Sequence, residues 1–229
     1  MTAPKTLARI AGALYLIASV LFILGDLVRA RLITTGDAAA TVDQLRSSAS
    51  LFRLGVASDL LSAALFLCTA VAFYALLRHV SEPLGIAMVA FVTLGASISV
   101  VAAIAEYTAL SIAGDASYTT AVGRSAIDAQ AMLLLALQRG THILNELVSG
   151  LWLLPLGYLA FRSGYFPRVV GALLVIGGVS WLAHLFVQVL APDLTAAASP
   201  LIAGTVGELV FIVWLLVKGA SPPRQTQTV

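Results

Sequence analysis

The residues best equipped for chemistry gather on one stretch of the chain. Arg139, His142 and Glu146 stand at i, i+3 and i+7, which places them on one helical face with Asn145 beside them. Other ionisable residues interrupt apolar runs elsewhere: Asp26, Asp59, Glu106, His184 and Glu208. Three chemistries fit this pattern. In the first, the groups are interhelical glue, with Arg139 paired to Glu146 or Glu106 and the histidines hydrogen-bonded across helices. In the second, Arg139, His142, Asn145, Glu146, Glu106 and Glu208 form a site for a small anionic or lipid ligand, and Arg139 holds its negative group. In the third, His142 and Glu146 at i, i+4 join His184 around a divalent metal such as zinc, with Glu208 or Glu106 completing the shell. A metal-bound water and a carboxylate base would suit hydrolysis of lipid amides or esters. A bis-histidine haem between His142 and His184 is a fourth ligand set that the residue types permit. His-x-x-x-Glu is common by chance, and neither a His-Glu-x-x-His run, a Gly-rich phosphate loop nor a nucleophile elbow is present.

The elements that must position these groups follow from composition. Of 229 residues, 60% are hydrophobic and 10% charged, with a mean hydropathy of +0.99. Soluble domains carry about 25% charged residues, so this chain belongs in a lipid bilayer. The net charge of +2 comes from scattered residues, and no basic block points to nucleic acid. Cys68, the single cysteine, lies in an apolar run and reads as a small buried hydrophobe. Lys5 and Arg9 before the run from Ile10 to Leu24 resemble a signal peptide, but no small-x-small cleavage site follows. An uncleaved first span is expected.

Six apolar segments are long enough to cross a hydrocarbon core, which takes about 20 helical residues each. They lie near 8–28, 54–77, 84–112, 130–161, 168–190 and 200–217. A spanning segment must satisfy its own backbone, so the expected fold is all-α, a bundle of six transmembrane helices forming one domain over 1–220. Residues 221–229 read as a disordered cytoplasmic tail. Pro83 and Pro200 sit at helix starts, Ser125 and Asp128 suggest a capping box, and Pro155 is expected to kink the fourth span. From Asp37 onward, Val42, Leu45, Ala49 and Phe52 recur at steps of three and four, an amphipathic pattern that either rests on the membrane surface or folds over the bundle.

Basic residues set the orientation. With both termini inside, the cytoplasmic segments hold Lys5, Arg9, Arg78, Arg162, Arg168, Lys218 and Arg224, against Arg29, Arg31, Arg46, Arg53 and Arg124 outside. The expectation is N-in/C-in. At about 1.5 Å per residue, Asp26 lies about 25 Å above Arg9 and Glu146 about 24 Å above Arg162. The other intramembrane polar groups fall in the same outer third. No Asp, Glu, Lys, Arg or His occurs at 10–25, 60–77, 84–105, 147–161, 169–183 or 209–217. A conducting path needs relay groups along its length, so a pocket open to the outside is expected instead.

Several stretches also carry a resemblance. Arg9-Ile10-Ala11-Gly12-Ala13-Leu14-Tyr15-Leu16 opens the first span, and Leu51-Phe52-Arg53-Leu54-Gly55 leads into the second. Gly157-Tyr158-Leu159-Ala160-Phe161-Arg162-Ser163-Gly164-Tyr165-Phe166-Pro167-Arg168 links the fourth and fifth. Together they resemble the DUF4386 family of bacterial integral membrane proteins over nearly the whole chain. The resemblance implies a six-helix protein of the bacterial plasma membrane and brings no activity and no site residues with it. The Arg-Ser-Gly-Tyr-Phe-Pro-Arg block reads as a tight hairpin: Gly164 takes a positive φ, Pro167 starts a helix, and Arg162 and Arg168 meet lipid phosphates.

Overall fold

A computed structural model describes residues 3–34, 36–194 and 201–221, with side chains of the last stretch described from 204. The tail expected over 221–229 lies outside them apart from Ser221, as does the Ser199-Pro200 helix start. Among the described residues there are helices and no strands. They are α1 (Pro4–Leu32), α2 (Ala38–Ser47), α3 (Ala49–Leu77), α4 (Glu82–Gly114), α5 (Ala116–Val122), α6 (Arg124–Arg162), α7 (Arg168–Leu190) and α8 (Leu201–Val217). Five of them, α1, α3, α4, α6 and α7, are long and apolar enough to cross a membrane. Large apolar side chains such as Leu27, Leu133, Val169 and Leu190 are exposed on these helices, a surface that water would reject and lipid accepts. α8 is as apolar but has 17 residues.

The helices run beyond the apolar segments that announced them. α1 continues past 28 to Leu32, α3 starts at Ala49 and α6 at Arg124, because polar turns extend a helix that the membrane demands only at its centre. The Ser125–Asp128 box therefore falls inside α6, where Asp128 Oδ1 is buried without a hydrogen-bond partner among the described residues. α6 continues through Pro155. Gly164 has φ 70°, as its hairpin requires. Aspartates cap the short helices instead: Asp37 accepts from the Ala40 N–H at 2.9 Å, and Asp115 from the Ser117 N–H at 2.8 Å. These bonds to Ser117 hold the Asp115 carboxyl below its ordinary range. Cys68 is exposed on α3, not buried, since a thiol facing an apolar surround needs no cover.

The chain divides into two compact units. One takes the described residues of 1–16, 65–95 and 146–229 and buries Trp152, Tyr15, Phe73, Phe211 and Leu153. Edge-to-face rings dominate its centre: Trp152 lies 4.7 Å from Phe66 and 5.6 Å from Tyr15, centroid to centroid. α6 and α7 meet there through paired glycines. A Cβ at Gly157 would stand 2.8 Å from Gly171 O, and one at Gly171 2.6 Å from Phe161 N. On α8, Gly207 lies against Leu173 O in the same way, so Gly204-Thr205-Val206-Gly207 is a small-residue packing face.

The other unit, 17–64 and 96–145, has its own core of Leu32, Val42, Leu45, Phe52, Ala109 and Leu135. The amphipathic segment ends earlier than its pattern suggested: α2 stops at Ser47, and Ala49 and Phe52 belong to α3. Its apolar face, Val42 and Leu45, is fully buried against protein, so α2 folds over α1, α3, α4 and α6.

The glycine contacts yield a contrast. Gly171→Ala should cost about 1–3 kcal/mol by overpacking. Gly140→Ala, with nothing within 4 Å of the new Cβ, should instead gain up to about 1 kcal/mol of helix propensity. Thermal unfolding of both variants in detergent checks the opposite signs.

Candidate functional site

A buried guanidinium organises the polar groups of residues 17–64 and 96–145. Arg29, one turn past Asp26 on α1, donates from Nη2 to Asp26 Oδ1 at 2.7 Å and from Nη1 to Glu106 Oε1 of α4 at 3.2 Å. It also bonds both oxygens of Asp59 on α3. Guanidinium is the side chain suited to this, because its planar fork presents several donors at fixed angles and stays charged. The side chains of Arg29, Asp59 and Glu106 are 11%, 15% and 2% exposed, whereas Asp26 is 42% exposed and forms the open edge. Glycine makes the approach possible: a Cβ at Gly25 would overlap the Asp59 carboxylate, and one at Gly55 would crowd Val28 at 3.1 Å.

Acidic groups outnumber the cation here. Three carboxyl groups surround one guanidinium, and the fork leaves Asp26 Oδ2 and Glu106 Oε2 outside its bonds. The His142 ring of α6 stacks on Phe22 at 5.5 Å, centroid to centroid.

Two further groups belong to the unit of residues 1–16, 65–95 and 146–229. His184 Nδ1 stands 2.7 Å from Glu146 Oε2, and Gln188 Nε2 donates to Glu146 Oε1 at 3.1 Å. Glu208 accepts from Tyr15 O–H and, at 3.1 Å, from Trp181 Nε1–H. Trp181, His184 and Gln188 recur at i, i+3 and i+7, so one face of α7 serves carboxyls on α6 and α8.

The residues singled out by sequence are thus shared among separate partnerships. Glu106 belongs with Arg29, Glu146 with His184 and Gln188, and Glu208 with Tyr15 and Trp181. Asn145 donates to Ser99 Oγ at 3.2 Å. Arg139 is exposed and, among the described residues, pairs with neither Glu146 nor Glu106; its long stem lets the charge leave the apolar interior. Arg29, read from sequence as a flanking charge, takes the role expected of Arg139. The signal was the Asp26-x-x-Arg29 spacing on a helix longer than its apolar core. Tyr15 and Trp181 were missed as partners because aromatic residues in an apolar run read as core.

Among the described residues, no three His, Cys, Asp or Glu side chains are grouped so as to hold a metal ion. Of the proposed ligands, the His142 ring stacks on Phe22, and Glu146 accepts from Gln188 through one oxygen and lies against His184 through the other.

Residues 10–219 match a family model described as a domain of unknown function, DUF4386. No curated protein and no solved structure matches the chain.

The Arg29 geometry predicts strong non-additivity. Arg29→Ala, which strands three carboxyls, should cost roughly 3–5 kcal/mol. Adding Asp59→Asn and Glu106→Gln should recover part of that loss, as a thermal-unfolding mutant cycle measures. Simple additivity would show that the groups are not coupled.

Proposed function

The chain belongs to the DUF4386 family, and we propose that it is a six-helix protein of the bacterial plasma membrane, N-in/C-in, that binds a small organic cation at the Arg29 site near the extracytoplasmic face. The observation that carries this reading is the acidic surround: Asp26, Asp59 and Glu106 all bond Arg29. Three acids held close together in a low-dielectric surround repel one another, so a ligand of positive charge would add attraction at the cluster. The sequence pointed to an anion at Arg139. With Arg29 already held by carboxyls, an anion would meet net repulsion.

An ammonium group fits better than a hard metal ion. Divalent calcium or magnesium takes six or more oxygens, and most of those present are committed to Arg29. An ammonium has three donors, for which Asp26 Oδ2 and Glu106 Oε2 are acceptors outside the guanidinium fork. The partly exposed Asp26 gives the way in. Binding rather than conduction is favoured by the runs 60–77, 84–105, 147–161, 169–183 and 209–217, which hold no ionisable Asp, Glu, Lys, Arg or His.

The test uses the full chain in lipid nanodiscs with methylammonium as probe. A ligand at 100 times its Kd stabilises the folded state by about 2.7 kcal/mol, which a thermal shift detects. Saturable stabilisation that disappears in Glu106→Gln is expected. Equal shifts in wild type and Glu106→Gln, or none at any concentration, would refute the reading.

A further inference from the structure

Two arginines tie α2 to its neighbours. Arg46, in its last turn, donates from Nε to the Ala113 carbonyl of α4. Arg124, the first residue of α6, pairs with Asp43 of α2. Asp43 is thus served twice, since Arg46 Nη1 also lies 3.6 Å from its Oδ1. One turn along α6 the reverse holds. Asp128 is 7% exposed, and its Oδ1 is buried with no hydrogen-bond partner among the described residues. Asp128, Ala131 and Leu135 stand at i, i+3 and i+7, so they share one face of α6. Ala131 and Leu135 belong to the same core as Val42 and Leu45 of α2. The unserved carboxyl is therefore on the face of α6 that meets the core beneath α2. Arg124 precedes it by four residues, the spacing at which two side chains on a helix meet.

We propose that Arg124 is a latch with two catches: it holds α2 closed through Asp43 and, when α2 lifts from α6, turns to Asp128. Opposed terms make the closed arrangement a poised one. Burial of Thr41, Val42 and Leu45 favours closure. The Arg124–Asp43 pair adds little to it, because its side chains are 54% and 57% exposed. Against closure stands Asp128, whose carboxyl is kept from water without a donor in return. Lifting α2 admits water to Asp128 and offers Arg124 a carboxyl on its own helix, so one ion pair is exchanged for another. An exchange of that kind lets a short helix populate two positions. The backbone suits a swing. Gly36, just before α2, has φ 85° with open space around it, and Ser48 interrupts the helix before α3. Arg46 remains on the Ala113 carbonyl, so α2 pivots on α4 as it leaves α6. Opening uncovers the core at Leu32 of α1, one turn past Arg29. The latch operates whether or not a ligand binds near Arg29.

Thiol labelling of the full chain in nanodiscs tests this, with Cys68→Ser and Val42→Cys as the parent. Val42 is fully buried on α2, so a water-soluble maleimide reaches position 42 only when α2 lifts. Asp43→Asn removes the closed catch alone and should speed labelling about threefold, the size of an exposed ion pair. Asp128→Asn removes the stranded acid together with the open catch and should slow labelling about tenfold. Arg124→Gln loses a partner in both positions and should leave the rate within about twofold of the parent. In the Arg124→Gln background, Asp128→Asn should slow labelling only about threefold, because the open pair is already gone. Each replacement keeps the side chain near its original size, and positions 43 and 124 are on the surface, so the fold should tolerate them. An arginine that is a fixed strut behaves otherwise. Arg124→Gln would then speed labelling as much as Asp43→Asn, and Asp128→Asn would slow it equally with or without Arg124. Either result overturns the proposal, as does a rate unmoved by Asp43→Asn or by Asp128→Asn.

Discussion

A charge that cannot reach water must be answered by protein, and in residues 17–64 and 96–145 that demand falls on Arg29. Its guanidinium bonds acids from α1, α3 and α4, so three helices are joined at one side chain. The geometry is possible only because Gly25 lets the Asp59 carboxyl lie against α1. Around it the unit is completed by apolar packing. α2 buries Val42 and Leu45, and Arg124 pairs with Asp43 to draw the start of α6 toward α2. Polar and apolar contacts therefore have distinct tasks: the first fixes which residues face each other, and the second supplies the contact area.

The unit of residues 1–16, 65–95 and 146–229 meets the same constraint differently. Its membrane-embedded carboxyls, Glu146 and Glu208, find Tyr, Trp, Gln and His, with no lysine or arginine among their hydrogen-bond donors. One face of α7 supplies Trp181, His184 and Gln188, while its glycines allow α6 and α8 to approach closely. Closeness and polarity reinforce each other, because short side chains on the packing face leave the longer ones free to reach a neighbouring helix.

Much of this was legible before any coordinates. The apolar runs placed the centres of the long helices, since only a helix can carry that much apolar surface with its backbone satisfied. Gly164 and Pro167 marked the α6–α7 turn, and the period of Val42 and Leu45 marked α2. Partnerships were less legible. Arg139 lies mid-way along α6 and Arg29 in the last turn of α1, yet the mid-helix residue is exposed and the terminal one nearly enclosed. Asp128 has the spacing of a capping residue but sits one turn inside α6, because the helix begins earlier than its first apolar residue.

Sequence alone determined that this chain is all-helical, suited to lipid, and burdened with ionisable residues in otherwise apolar segments. Those properties are sums over residue types and local spacing. The tertiary structure decided which acid meets which base, and that the acids outnumber the cation around Arg29. Such facts depend on the rotation of each helix about its axis. A rotation of one residue's step, about 100°, would turn Arg29 away from Asp59 and Glu106 without changing composition, length or hydropathy.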